Sequence, residues 1–323
     1  MRILITGITG RIGANLAAAL LRDGHQVRGL VWARDPRVEK LGHLDIELLN
    51  GTITEPDDVK LAIDGSDAVY HLAAAFQGGG PFTESEYFEI NVTGTFNMLK
   101  VARSSDTLRH FIMAGTDAVY GPLEGRPELI HEDRTPTSPE GWYGLSKLLA
   151  DEMCIAYHAT YGMPVTVLRF GYCFGAGEFL DFNPFLLSNL RSSIPELEAL
   201  WKGEERLVIR KDESGASFRM QIIDVRDQVQ GCVSALEKPQ SFGQRIQLAA
   251  PSPFSFGEAV PYLSERIGIP AVSATVSGPP VNFAFDLGKA KGLIGFVPKY
   301  DVFRMIDDAV AFREGQELDV IPT

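Results

Sequence analysis

Tyr143 and Lys147 stand four residues apart in the run Trp142-Tyr143-Gly144-Leu145-Ser146-Lys147. On a helix that starts near Tyr143, this spacing puts a phenol and an amine on one face. A free tyrosine, with a pKa of about 10, is a poor base at neutral pH. A neighbouring ammonium favours the phenolate, which could then take a proton from an alcohol or return one to a ketone. The spacing alone also describes many surface helices. It gains meaning from Gly7, Gly10 and Gly13, which lie between the apolar run Ile3-Leu4-Ile5 and an alanine-rich stretch of helical pattern. The first glycine permits a tight turn, and the second lets backbone approach a pyrophosphate. The third lets the helix pack close, with its N-terminus facing the phosphates. Thr9, Arg11 and Ile12 of the same loop are expected cofactor contacts. Together the two motifs point to nicotinamide-linked chemistry on a small molecule, with Lys147 also holding the nicotinamide ribose.

An acidic residue about 20 positions beyond the glycines would bind the adenosine ribose hydroxyls. Here the strand ends Leu30-Val31-Trp32-Ala33-Arg34, and no carboxylate occurs until Asp35. Arg34, or Arg11 in the loop, could instead face a 2′-phosphate. A solvated arginine after a strand is the plainer reading of the same residues. The expected cofactor is NAD(P), with NADP slightly favoured over NAD.

These side chains need a scaffold, and the first half of the chain supplies its pattern. Short apolar runs at Arg2–Thr6, Gln26–Val31, 46–49, 68–72, 111–114 and Val165–Phe170 alternate with helical periodicity over 14–22, 88–103 and 143–161. That alternation predicts βαβ units and a parallel sheet. After Gly175 it is lost. Residues 176–219 read as an insertion, a strand returns at 220–225, a helix follows near 227–236, and a further strand covers 245–248. The tail is helix-rich and broken by prolines. The expected class is α/β: a doubly wound parallel sheet from 1–175 plus 220–248, and a smaller substrate-binding lobe from 176–219 plus 249–323.

Composition narrows the function classes. The chain of 323 residues is 45% hydrophobic and 22% charged, as globular proteins are. Its net charge of −12, from 30 basic and 42 acidic residues, argues against a nucleic-acid surface. No apolar stretch reaches membrane-spanning length, and the first strand starts too early to leave room for a signal peptide. Cys154, Cys173 and Cys232 lie far apart and fit no metal spacing or disulfide framework. The histidines give no metal signature either. A cytoplasmic location is the expectation.

The chain resembles the short-chain dehydrogenase/reductase superfamily in its extended, epimerase/dehydratase-like branch. Besides the motifs above, the resemblance rests on His71-Leu72-Ala73-Ala74, Asn91-Val92-Thr93-Gly94-Thr95, Val119-Tyr120-Gly121, residues 169–175, Val225-Arg226-Asp227 and residues 286–298. It implies a Rossmann-type sheet, a C-terminal substrate lobe and a homodimer formed through long helices. Thr116, five residues before Gly121, takes the place of the family's catalytic Ser/Thr, orienting the substrate oxygen for Tyr143. Leu72, Ala73 and Ala74, with Thr52, Ile53 and Phe170, are expected around the cofactor. Asn91 is expected either near it or as a residue that bonds helix backbone.

Three departures bear on the substrate. Relatives acting on nucleotide sugars often carry an asparagine that contacts the diphosphate, where this chain has Tyr172. They often carry an arginine shortly before the Asp-x-x-Lys motif, yet residues 277–285 contain none. A diphosphate needs such donors. Finally, Thr116-Asp117-Ala118 resembles the Thr-Asp-Glu of sugar-nucleotide dehydratases, with the base replaced by alanine. Asp117 could bind a polar substrate or be a solvated turn residue. Phe174, with Phe179, Phe182 and Phe185, could line a pocket or simply pack a core. The sequence therefore favours an NAD(P)-dependent oxidoreductase acting on a hydroxyl or carbonyl of a small non-nucleotide substrate such as a polyol, sugar or ketone. The alternatives are a sugar epimerase or dehydratase and, in a different class, a nucleotide-sensing protein without catalysis.

Overall fold

The computed structural model describes residues 1–77 and 80–322. Seven strands form one parallel sheet: β1 (Arg2–Thr6), β2 (Gln26–Val31), β3 (Ile46–Asn50), β4 (Ala68–His71), β5 (His110–Thr116), β6 (Val165–Phe170) and β7 (Gln244–Leu248). Their spatial order is β3-β2-β1-β4-β5-β6-β7. Strands covered on both faces must be apolar on both, which is why Ile3, Leu4 and Ile5 are consecutive and fully buried. Side chains alternate between the faces. Ile3, Ile5, Tyr70 and Ile112 pack with helix α1 (Arg11–Arg22). Leu4, Val69, Phe111 and Met113 pack with α2 (Gly94–Arg103) and α3 (Gly141–Tyr161).

The order reverses between β1 and β4. At such a switch point the loops diverge to opposite faces and leave a crevice beyond the carboxyl ends of the strands, where ligands bind. The ends of β1, β4, β5 and β6 line it.

The strand expected at 220–225 does not rejoin this sheet. β7 pairs along β6, so the returning chain meets the continuation of β6 beyond Gly171 instead. Ile222–Asp224 pairs in parallel with Tyr172–Phe174, and Arg219–Met220 pairs antiparallel with Phe254–Ser255. The insertion at 176–219 is mostly short helical turns, ending in a strand, Leu207–Lys211, that pairs with Ala271–Thr275. A second core gathers Phe179, Phe182, Phe185, Phe254 and Phe256 with Val119 and Tyr120 from beyond β5. Its rings meet mainly edge to face, the geometry aromatic quadrupoles prefer. The three cysteines are free thiols. Among the described residues no helix is long and apolar enough to cross a membrane.

Candidate active site

The glycine loop is shaped by backbone contacts. Gly7 has φ +71°, and a Cβ there would lie 2.7 Å from the Ala73 nitrogen, so the loop rests directly on Leu72 and Ala73. A Cβ on Gly13 would lie 2.3 Å from the Gly7 carbonyl oxygen, so α1 can approach only with glycine at this position. The N-cap residue of α1, Gly10, offers no side-chain acceptor, and no acidic residue occupies the first turn. The helix therefore presents uncapped N–H groups and the positive end of its dipole, which suits a pyrophosphate. These features fit a dinucleotide.

Around the loop, Thr9 Oγ1 donates to Asp35 Oδ2 at 2.8 Å. Arg37 donates to the same carboxylate from its backbone and guanidinium, and these bonds, helped by Thr9, hold Asp35 down at about 2 against the effect of burial. Arg34 is exposed, with φ +72°. Arg11 is turned elsewhere: its Nη1 donates to the Cys173 carbonyl at 2.9 Å, and its Nε pairs with Glu178 at 2.6 Å. That bridge ties the loop to the chain beyond β6. Of the other residues expected near the cofactor, Ile12, Leu72, Ala73 and Ala74 are partly buried, and Phe170 is buried at the end of β6. Thr52 bonds Asp58 and Thr54, while Ile53 is buried beneath Gly94 of α2.

Beneath the crevice runs a hydrogen-bonded floor that sequence reasoning did not foresee. Thr95 Oγ1 donates to the Asn91 carbonyl at 2.7 Å, so it must accept from His71 Nε2 at 3.0 Å. His71 Nδ1 then accepts from Thr6 Oγ1 at 2.8 Å. Burial, reinforced by the nearby Lys147, drives His71 down to about 3, so this ring is a neutral strut. Asn91 sits in a π-helical turn, Phe88–Thr93, that interrupts the helical run expected over 88–103. Such turns are frequent at functional sites. The Asn91 side chain takes the Ala75 N–H at 2.7 Å and donates to the Ala75 carbonyl and to Ser146 Oγ, which in turn donates to the Tyr143 carbonyl at 2.9 Å. Asn91 thus bonds the backbone of the loop after β4 and also braces the helix that carries the phenol.

Thr116, Tyr143 and Lys147 come together at the end of β5 and the start of α3. A Cβ on Gly144 would lie 3.1 Å from the Ala118 carbonyl, so a small residue beside Tyr143 lets the helix settle against the turn after Thr116. Burial pushes the Tyr143 phenol up to about 12, opposed by its hydrogen bond with Thr116 and reinforced by Asp117. Lys147 is 4% exposed, and burial drives its amine down to about 8, opposed by Cys154 and Asp151. Asp151, one helical turn beyond, is fully buried. It receives Arg169 Nε and Nη2 at 2.9 Å, along with Arg245, and Arg169 extends to the Tyr120 hydroxyl at 2.8 Å. The i, i+4 step from Lys147 to Asp151 was visible in the sequence; its two arginine partners were not.

The residues expected at the substrate have differing settings. Asp117 is neither solvated nor free: it pairs with Arg126 at 2.8 Å, with side chains 13% and 3% exposed. Tyr172 is exposed, its ring against Phe174 and Phe182. Phe174 is buried among Phe179 and Phe182, a packing position. Phe76 and Tyr87, which the sequence did not single out, stand at 5.7 and 6.3 Å from the Tyr143 ring. Phe76 is 51% exposed and forms an aromatic flank beside the phenol.

Residues 3–249 match the model of the NAD-dependent epimerase/dehydratase family. A Bacillus subtilis protein described as an uncharacterized UDP-glucose epimerase is 26% identical over 97% of this chain and 98% of its own length. UDP-glucose 4-epimerase of Corynebacterium glutamicum is 28% identical over 97% and 95%. A crystal structure of a short-chain dehydrogenase/reductase superfamily protein from Agrobacterium tumefaciens with bound NAD superposes with a TM-score of 0.84, at 28% identity over 97% of each chain.

Proposed function

Because the chain belongs to the NAD-dependent epimerase/dehydratase family, we propose that it performs hydride transfer at a secondary hydroxyl of a sugar derivative, oxidising and re-reducing one substrate as an epimerase does. The observation that carries this reading is the joining of Thr116, Tyr143 and Lys147 beside the crevice, next to an Ala118 that cannot ionise. Dehydration needs an acid and a base beyond the hydride step. Alanine replaces the base, and the Asp117 carboxylate is committed to Arg126.

When bound, NAD supplies the two-electron acceptor and donor. Thr116 Oγ1 orients the substrate oxygen. The Tyr143 phenolic oxygen takes the hydroxyl proton on oxidation and returns it on reduction. Burial works against the phenolate and the Thr116 hydrogen bond favours it. In this reading the positive charge of Lys147, one helical turn away, adds to that support when the phenol acts as a base. Lys147 also holds the nicotinamide ribose. The glycine loop takes the pyrophosphate, with Leu72 and Ala73 beneath it. Residues 1–175 plus 220–248 serve the cofactor in this reading, and 176–219 with the chain after 248 serve the substrate.

NAD fits better than NADP, against the sequence expectation, because Arg11 is spent on Glu178 and the Asp35 carboxylate stands against Thr9 of the loop. Dissociation constants for the two cofactors test this, and tighter NADP would reverse it. The exposed apolar residues Phe88, Phe96, Leu145 and Leu149 on the helices support a homodimer, which gel filtration tests.

Net oxidation or reduction of a non-nucleotide polyol, sugar or ketone is the second reading, favoured by Tyr172 at the position where relatives contact a diphosphate. Cofactor retention separates the two. The epimerase reading expects purified protein to carry NAD that survives dialysis and to change sugar stereochemistry, read by NMR, without net reduced cofactor. Stoichiometric reduced cofactor released into solution would replace it with the second reading.

A further inference from the structure

Four arginines are buried among the described residues: Arg28, Arg126, Arg169 and Arg210. Three are forked onto acceptors. Arg28 reaches Glu47 and the carbonyls of Ala62 and Asp64, Arg126 reaches Asp117 and the carbonyls of Gly121 and Pro122, and Arg169 reaches Asp151 and Tyr120. Arg210 is the exception. It lies in the Leu207–Lys211 strand, 4% exposed, with its guanidinium over the rings of Phe218 and Phe256 at 5.0 and 4.9 Å. Its Nε is buried without a hydrogen-bond partner, and Glu124 stands off at 4.0 Å from Nη1.

Two aromatic faces stabilise a cation but accept none of its five directed N–H bonds. A buried charge with unpaired donors is costly, and the cost is relieved by an acceptor with matching geometry. Glu124 is a poor acceptor at this distance, and its side chain is half exposed. It also marks the place. Glu124 lies two residues before Arg126, which grips Asp117 next to Thr116, so the loop facing Arg210 is the loop that borders the reacting corner.

We propose that Arg210 is the anion anchor of the substrate site, taking a carboxylate or phosphate group of the sugar derivative, with Glu124 as the placeholder that the incoming anion displaces. This rests on the hydride-transfer reading, since the substrate must lie between Tyr143 and this loop. One guanidinium fork matches one carboxylate or one phosphate monoester. The assignment supplies a cation from a strand of the lobe where Tyr172 and residues 277–285 supply none.

Isothermal titration calorimetry on the full chain saturated with NAD tests it, with galactose, galacturonate and galactose 1-phosphate as probes. At least one anionic sugar should bind about tenfold or more tighter than galactose, and which one does so identifies carboxylate or phosphate. Arg210→Met should bring that affinity down to the level of galactose, and Glu124→Gln should tighten it by removing the competing carboxylate. Equal affinity for all three sugars, or an Arg210→Met variant within about twofold of wild type for the anion, overturns the proposal. Should Arg210→Met fail to fold, Arg210→Lys and Glu124→Gln decide: anion affinity unchanged in both is equally fatal. Calorimetry reads binding without turnover. Anion binding with no chemistry would therefore count against the hydride-transfer reading alone.

Discussion

Replacing Lys147 by methionine should stabilise the cofactor-free protein while abolishing its activity. The amine is 4% exposed, and burial lowers its pKa from the usual 10.5 to about 8, opposed by Cys154 and Asp151. At about 1.36 kcal/mol per pH unit, that drop corresponds to roughly 3 kcal/mol set against the folded state whenever the amine is charged in both states. The sign follows from proton counting. Below about pH 8 folded and unfolded chains both hold the proton, and the full penalty applies. Between about 8 and 10.5 the unfolded chain binds more protons, so wild-type stability rises with pH across that window. Above it neither form is charged. Methionine has a similar stem and no charge, so the variant shows no such window from this position. Urea unfolding should find Lys147→Met more stable at pH 7 by up to about 3 kcal/mol, with the gap closing toward pH 10.5. A variant less stable at pH 7, or a gap that is the same at pH 7 and pH 10, would refute the reasoning.

Gly13→Ala would place a methyl 2.3 Å from the Gly7 carbonyl, forcing α1 away from the loop. The expected result is a thermal shift by NAD that is largely lost while the sheet still folds, read by circular dichroism and a NAD titration. Asp151→Asn leaves Arg169 and Arg245 without their shared counter-charge in a fully buried position. Chemical denaturation should show a loss of about 3–5 kcal/mol; a loss below about 1 kcal/mol would mean that the network contributes little.

Much of the fold was legible because its physics is local. A strand covered on both faces is apolar on both, so Ile3-Leu4-Ile5 of β1 stands out in the letters, and α3 declares itself by its 3.6-residue period. The glycine loop was legible for a related reason: at Gly7 and Gly13 backbone meets backbone, which leaves only one residue type. Thr116, by contrast, is an ordinary strand end until a resemblance assigns it a role. What stayed hidden depends on distant pairing. The π-helical turn at Asn91 is confined to Phe88–Thr93 within a longer helical run, too short a phase shift to stand out from the apolar pattern around it. The destination of the 220–225 strand depends on β7 having taken the edge of β6. Arg11 reads as a phosphate ligand until Glu178, far along the chain, is seen to hold it. Asp117 reads equally as a substrate ligand or a solvated turn residue until Arg126 folds back upon it.

Tyr143→Phe bears most directly on the central claim that this phenol moves the substrate proton. Cofactor reduction at the reduced-nicotinamide absorbance band should be followed for wild type and variant with the same panel of sugars, polyols and ketones, alongside NAD affinity. In a single turnover followed by stopped flow, the wild type should transiently reduce its bound NAD with at least one of them before the substrate is re-reduced, and the rate in the variant should fall by about 100-fold or more while NAD affinity stays within a few-fold. A variant that reduces NAD as fast as wild type would contradict the claim.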